Sequence, residues 1–105
     1  MIKNFIPKKG DQISFLVTFI GEVNINSMEF GVKRDYTDED FIILKSLNNG
    51  ITQIDSNHYQ VVVPSNETNK LDFDVYVYDL RTRNGNIIKT PLSGKIIVKE
   101  SVFNG

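Results

Sequence analysis

Cysteine is absent from this 105-residue chain, which removes disulfide staples, thiolate nucleophiles and cysteine metal sites and leaves the redox compartment open. Histidine is nearly absent as well. His58 stands alone, so no histidine-based metal cluster can form, and histidine-dependent catalysis would have to run through that one residue. An excess of one charge is also missing: 12 Lys and Arg face 13 Asp and Glu, a formal charge of -1. That balance supplies no basic field for nucleic acid and no acidic tail. No stretch approaches the roughly 18 apolar residues of a membrane span. The opening MIKNFIPKKGDQ carries too short an apolar run for a signal peptide, with Pro7, Lys8 and Lys9 following at once. Together with the opening Met, this predicts a complete gene product made and folded in the cytoplasm.

What is present is an ordinary folding composition, with 40% hydrophobic and 24% charged residues. A mass of 12.0 kDa suits one domain with one core over residues 1–105. Only the ends, 1–8 and 101–105, read as arms or linkers.

Short apolar runs between turn signals dominate the chain. ISFLVTFI, residues 13–20, lies between Gly10-Asp11 and Gly21-Glu22 and reads as a strand. MEFGVKR alternates strictly, which puts Met28, Phe30 and Val32 on a core face and Glu29 and Lys33 in water. Over DYTDEDFIILKS two readings compete: a short helix capped at Thr37 or Asp38, and a strand or irregular edge over Phe41 to Leu44. The compact β-rich run favours the strand. Asn49-Gly50 is a turn signal, and a short strand resumes at Ile51. HYQVVV, ended by Pro64, is the next strand; the polar SNETNK has room for one helical turn before Leu71. A long strand then ends at Asn84-Gly85, the strongest hairpin signal in the chain. Pro91 bends the return path before GKIIVKE closes the domain.

Seven or eight short strands without a long helix predict an all-β fold: a small antiparallel β-sandwich, immunoglobulin-like in the broad sense. A small β-barrel fits the same pattern.

The aromatic stretch LDFDVYVYDLRTRNGN, residues 71–86, can be a site or simply a strand seen from both faces. Alternation puts Phe73, Val75, Val77 and Asp79 on one side and Asp74, Tyr76, Tyr78 and Leu80 on the other. Burying the tyrosine face is natural, because a tyrosine fills a core while its hydroxyl reaches a rim or backbone acceptor. Tyr59, Tyr76 and Tyr78 are accordingly core or rim aromatics. Asp79 and Arg81 then share a charge network with neighbouring strands.

No catalytic constellation emerges, so the chain is not expected to be an enzyme or to need a cofactor. No serine sits in a nucleophile-elbow pattern, and paired carboxylates for glycoside hydrolysis lack a cleft. Asp35, Asp38 and Asp40, with Glu39, form an acidic loop that is a weak cation candidate but lacks calcium-loop spacing. Lys3, Lys8, Lys9, Arg81 and Arg83 are too few for a nucleic-acid footprint. Asn66-Glu67-Thr68 matches the glycosylation triplet, which means little without a secretion signal. Ile2, Phe5, Ile6 and Phe103 lie outside the strand pattern, where they serve as anchors on a neighbour or fold back onto their own domain.

The order of elements is more specific than a generic sandwich. GDQISFLVTF, MEFGVKR, an NGIT step, HYQVVVP, LDFDVYVYDLRT and LSGKIIVKESV follow one another. This resembles the small immunoglobulin-like domain of phage tail and baseplate proteins, the N-terminal module of baseplate upper proteins. Leu71, Tyr76, Tyr78 and Asp79 match one family motif, and Gly94, Ile96 and Val98 match another; Asp74 stands where that family commonly has glycine. The resemblance implies a non-catalytic virion structural module, synthesised in the host cytoplasm and assembled into a tail or baseplate. Its implied partners are other tail proteins or copies of itself, with no nucleic acid and no membrane. The alternative is a carbohydrate-binding or adhesive sandwich of a cell-surface protein, which would need an exposed aromatic platform.

Overall fold

Strands form where β-branched and aromatic residues alternate with polar ones. The computed structural model describes residues 1–20, 25–72 and 74–102. It contains β1 (Ile13–Thr18), β2 (Ser27–Lys33), β3 (Ile43–Leu47), β4 (Gly50–Asp55), β5 (His58–Val63), β6 (Val75–Asn84) and β7 (Ile87–Ile97). One helical turn, α1 (Ser65–Thr68), sits between β5 and β6, where the polar SNETNK stretch left room for it. The acidic stretch before β3 forms turns and bends rather than a helix, and regular pairing begins only at Ile43.

Hydrogen bonding links the strands as one sheet in the order β1-β5-β4-β3-β2-β6-β7. Three strands separate β1 from β2 in that order, yet the Phe15 and Phe30 rings meet with centroids 5.5 Å apart. The sheet therefore curls over itself, with β1-β5-β4 facing β3-β2-β6-β7. The fold is an immunoglobulin-like β-sandwich. The curl turns at the step from β3 to β4. Asn49-Gly50 does not reverse the chain there: β3 and β4 pair in parallel, Ser46 with Gly50 and Leu47 with Ile51. Asn48 takes the left-handed conformation (φ 66°), which asparagine tolerates better than most residues.

Met28, Phe30 and Val32 are fully buried, as their alternation predicts, along with Val61, Val63 and Leu80. Lys45 is also buried. Its ammonium pairs with Glu67 of α1, which ties the helical turn to β3.

Two readings of the chain path change. Pro91 does not separate two strands, because β7 runs unbroken from Ile87 to Ile97. The register passes from Leu80–Leu92 to Thr82–Lys89, so Thr90 and Pro91 together oppose Arg81 in a bulge. A proline belongs at such a place, where its missing N–H costs no ladder bond.

The second change concerns residues 1–8. They are no free arm. Ile2, Phe5 and Lys8 bridge in parallel to Ser93, Ile96 and Lys99, beside and just beyond β7. Six main-chain hydrogen bonds join residues 1–9 to residues 93–99, including Phe5 N–H to Lys95 O (2.9 Å) and Ile97 N–H to Phe5 O (2.8 Å). Where the ladder would use Lys3 O, that oxygen accepts from the Tyr78 hydroxyl (2.6 Å), and Asn4 Oδ1 accepts from Lys95 N–H (3.0 Å) instead. Gly94 makes the approach possible: a Cβ there would lie 2.1 Å from Lys3 O. At the other end, Ser101 is half-buried and Val102 exposed, while Phe103 lies outside the described residues.

Candidate functional site

The tyrosines of the central aromatic stretch are structural. Tyr76 is buried and its hydroxyl accepts the Asp72 N–H (2.8 Å), closing the turn that enters β6. This is the tyrosine corner of immunoglobulin-like sandwiches. Two residues on, where antibody domains carry the second cysteine of their inter-sheet disulfide, stands Tyr78. Around it the chain stacks rings: Phe30 at 5.3 Å and Phe5 at 5.4 Å from Tyr78, with Phe15 5.0 Å from Phe5. Four aromatic rings thus occupy the place where related folds put a disulfide and a tryptophan. Burial, with Asp79 adding to it, pushes the Tyr78 hydroxyl up to about 12. Tyr59 is buried too, edge-on to Phe19 at 5.8 Å. An exposed platform built of Tyr59, Tyr76 and Tyr78 does not exist.

The anchor residues divide. Phe5 packs into the ring cluster, while Ile2 (80%) and Ile6 (62%) stay largely exposed. The acidic loop turns inward on itself. Asp35 Oδ1 accepts the backbone N–H and the hydroxyl of Thr37 (both 3.2 Å), and Asp38 Oδ2 accepts Asp35 N–H (3.2 Å). Among the described residues no three acidic or histidine side chains, Asp40 included, come together to hold an ion. His58 Nδ1 lies 2.7 Å from Asp55 Oδ1 on the exposed β4–β5 turn. That bond, seconded by Asn57 N–H at 2.9 Å, holds the Asp55 carboxyl below its usual range.

The surface most like a site is the outward face of β3-β2-β6-β7. Register places Leu44, Gly31, Asp79 and Ser93 in one row across the four strands. Gly31 is the low point of that row, and the loop before β3 lays Phe41 over it. A Cβ on Gly31 would come within 2.3 Å of the Phe41 ring, so only glycine allows this contact. Lys33 caps the ring with its ammonium 4.6 Å from the centroid and donates to Asp38 O (2.7 Å). On the other side Arg81 donates to Glu29 Oε1 (2.7 Å), a cross-strand pair of the kind expected from alternation. Between these lies a shallow depression of about 150 Å³ lined by Phe41, Leu44, Tyr36, Val77 and Asp79. That is smaller than the roughly 300–1,000 Å³ of small-molecule pockets and is about the size of one side chain.

Sequence reasoning passed over Phe41 and Leu44 as strand residues and missed Tyr36. The available signal was Gly31, a lone glycine inside a strand, which marks a close approach.

No protein-family model and no curated protein matches the chain. Among solved structures it is similar to the NK cell receptor Nkp44, described as a triggering partner in natural cytotoxicity. The two share 8% identity at a TM-score of 0.55, over 94% of this chain and 99% of that one. At that identity the likeness establishes the immunoglobulin-like fold and nothing finer.

Proposed function

We propose that the chain is a non-catalytic module that works by protein–protein contact, in the setting its sequence resemblance implies, a phage tail or baseplate. It would be made in the host cytoplasm and built into the virion beside other tail proteins. The observation that carries this reading is the outward face of β3-β2-β6-β7. Phe41, Leu44 and Tyr36 stand exposed there around a depression of one-side-chain size, rimmed by the Arg81–Glu29 pair, Lys33 and Asp79. An apolar centre with a polar rim is the anatomy of a protein interface. The lone histidine, bonded to Asp55 on an open turn, offers no nucleophile–base arrangement.

The test is co-purification with the products of flanking tail genes, followed by affinity measurement on the paired substitution Phe41→Ala, Leu44→Lys. A bound tail protein whose affinity falls about tenfold or more in the variant supports the reading. If the flanking genes encode no tail proteins and none of their products binds, the reading fails.

A second reading, a carbohydrate-binding or adhesive module, draws on the exposed Tyr36 and Phe41 in the same depression. Binding on a glycan array that disappears with Tyr36→Ala would favour it over the first.

A further inference from the structure

The two ends of the sheet are treated differently by the chain. At one end β7 is covered by residues 1–8. At the other, β1 pairs with β5 on one side, and among the described residues nothing pairs with its far side. An open edge is normally blunted by charge, proline or a bulge, because its free N–H and C=O groups template further pairing. β1 has none of these. ISFLVT contains no charged residue and no proline, and its six residues pair with β5 in unbroken register.

The core is also unfinished along this edge. On β5 the inward residues Tyr59, Val61 and Val63 are buried. On β1, Ile13 opposite Val63 is buried, but Phe15 and Val17 opposite Val61 and Tyr59 are only half-buried, and Leu16 on the outer face is 56% exposed. Another strand laid on β1 would cover Phe15 and Val17 and occupy the free main-chain groups.

We propose that this strand is β1 of a second copy of the chain, paired antiparallel across a two-fold axis at Leu16. The pattern is self-complementary. The axis sets Leu16 against the partner's Leu16, Phe15 beside the partner's Val17, and Ser14 beside the partner's Thr18, with no charge opposed to a like charge. The two sandwiches then share one continuous outer sheet, and the outward faces of β3-β2-β6-β7 stay free. A six-residue edge buries less than a standard interface, so free chains associate with a dissociation constant of roughly 10 µM to 1 mM. Within an assembly that holds copies side by side, the same contact is multiplied by effective concentration. The inference rests on the protein-contact reading above and names one partner for it.

Sedimentation velocity over a concentration series spanning that range is the test, with amide hydrogen exchange on β1 at both ends of the series. The expected result is a reversible dimer in which β1 amides gain protection. Leu16→Lys should weaken it about tenfold or more by setting like charges across the axis, and Thr18→Lys, which faces the partner's Ser14, should weaken it to a smaller degree. Both positions are exposed, and circular dichroism confirms that the variants fold. Leu44→Lys, on the other face, should leave the dimer unchanged. Three results overturn the inference: a monomer throughout, a dimer indifferent to both lysines, or a dimer abolished by Leu44→Lys. The last would move self-association to the depression and keep the protein-contact reading. A monomer that still binds a tail protein would also keep it.

Discussion

The covered edge at β7 and the bare edge at β1 solve one problem in opposite ways. Both strands end a sheet and leave a row of backbone groups unpaired. At β7 the N-terminal residues supply the missing strand and send Phe5 into the core between Phe15 and Tyr78. At β1 nothing is supplied among the described residues, and Phe15 and Val17 keep part of their surface. The difference shows that pairing at an edge also helps complete the core beneath it: Ile13 is buried on the bare edge, but Phe15 and Val17 are only half-buried there.

The contrast breaks most sharply if residues 1–8 are removed. Phe5 and five main-chain bonds go, and Tyr78 loses its acceptor at Lys3 O. Deletion should cost about 4–6 kcal/mol, most of a typical domain's margin, and chemical denaturation with intact and truncated chains would read it. A truncated chain as stable as the parent would show that the β7 edge contributes no more than the β1 edge.

Alkaline pH probes the same end more gently. The Tyr78 hydroxyl ionises near 12 in the fold and near 10 when exposed. Its contribution is therefore complete below pH 10 and is lost as pH rises through the folded value, because only the unfolded chain gains a phenolate in that window. Melting temperature should fall more steeply between pH 10 and 12 for the parent than for Tyr78→Phe.

The smallest effect belongs to the other edge. Leu16→Ser, measured at a concentration too low for association, should change stability by no more than about 0.5 kcal/mol. A larger loss would mean that Leu16 is already covered in the isolated chain.

Local pattern made much of this fold legible. The alternation in MEFGVKR placed Met28, Phe30 and Val32 inside, and the argument that tyrosines fill cores with a hydroxyl at the rim placed Tyr76 and Tyr78. What stayed hidden depends on partners far along the chain. MIKNFIPK has no strand-like alternation, since its strand character comes from pairing with residues more than 85 positions away. The parallel step at Asn48–Gly50 reads locally as a turn, because a glycine with positive φ serves both purposes. The depression depends on Phe41 crossing to Gly31, ten residues back, and spacing within a loop does not encode that crossing. Gly31 alone carried a hint of it.

The ring cluster of Phe5, Phe15, Phe30 and Tyr78 has a practical outcome. Bracing between the two layers comes from packing that re-forms spontaneously, so refolding needs no oxidant and no disulfide isomerase. Reductant should alter neither the yield nor the rate, and the module can mature in any compartment that will let it collapse.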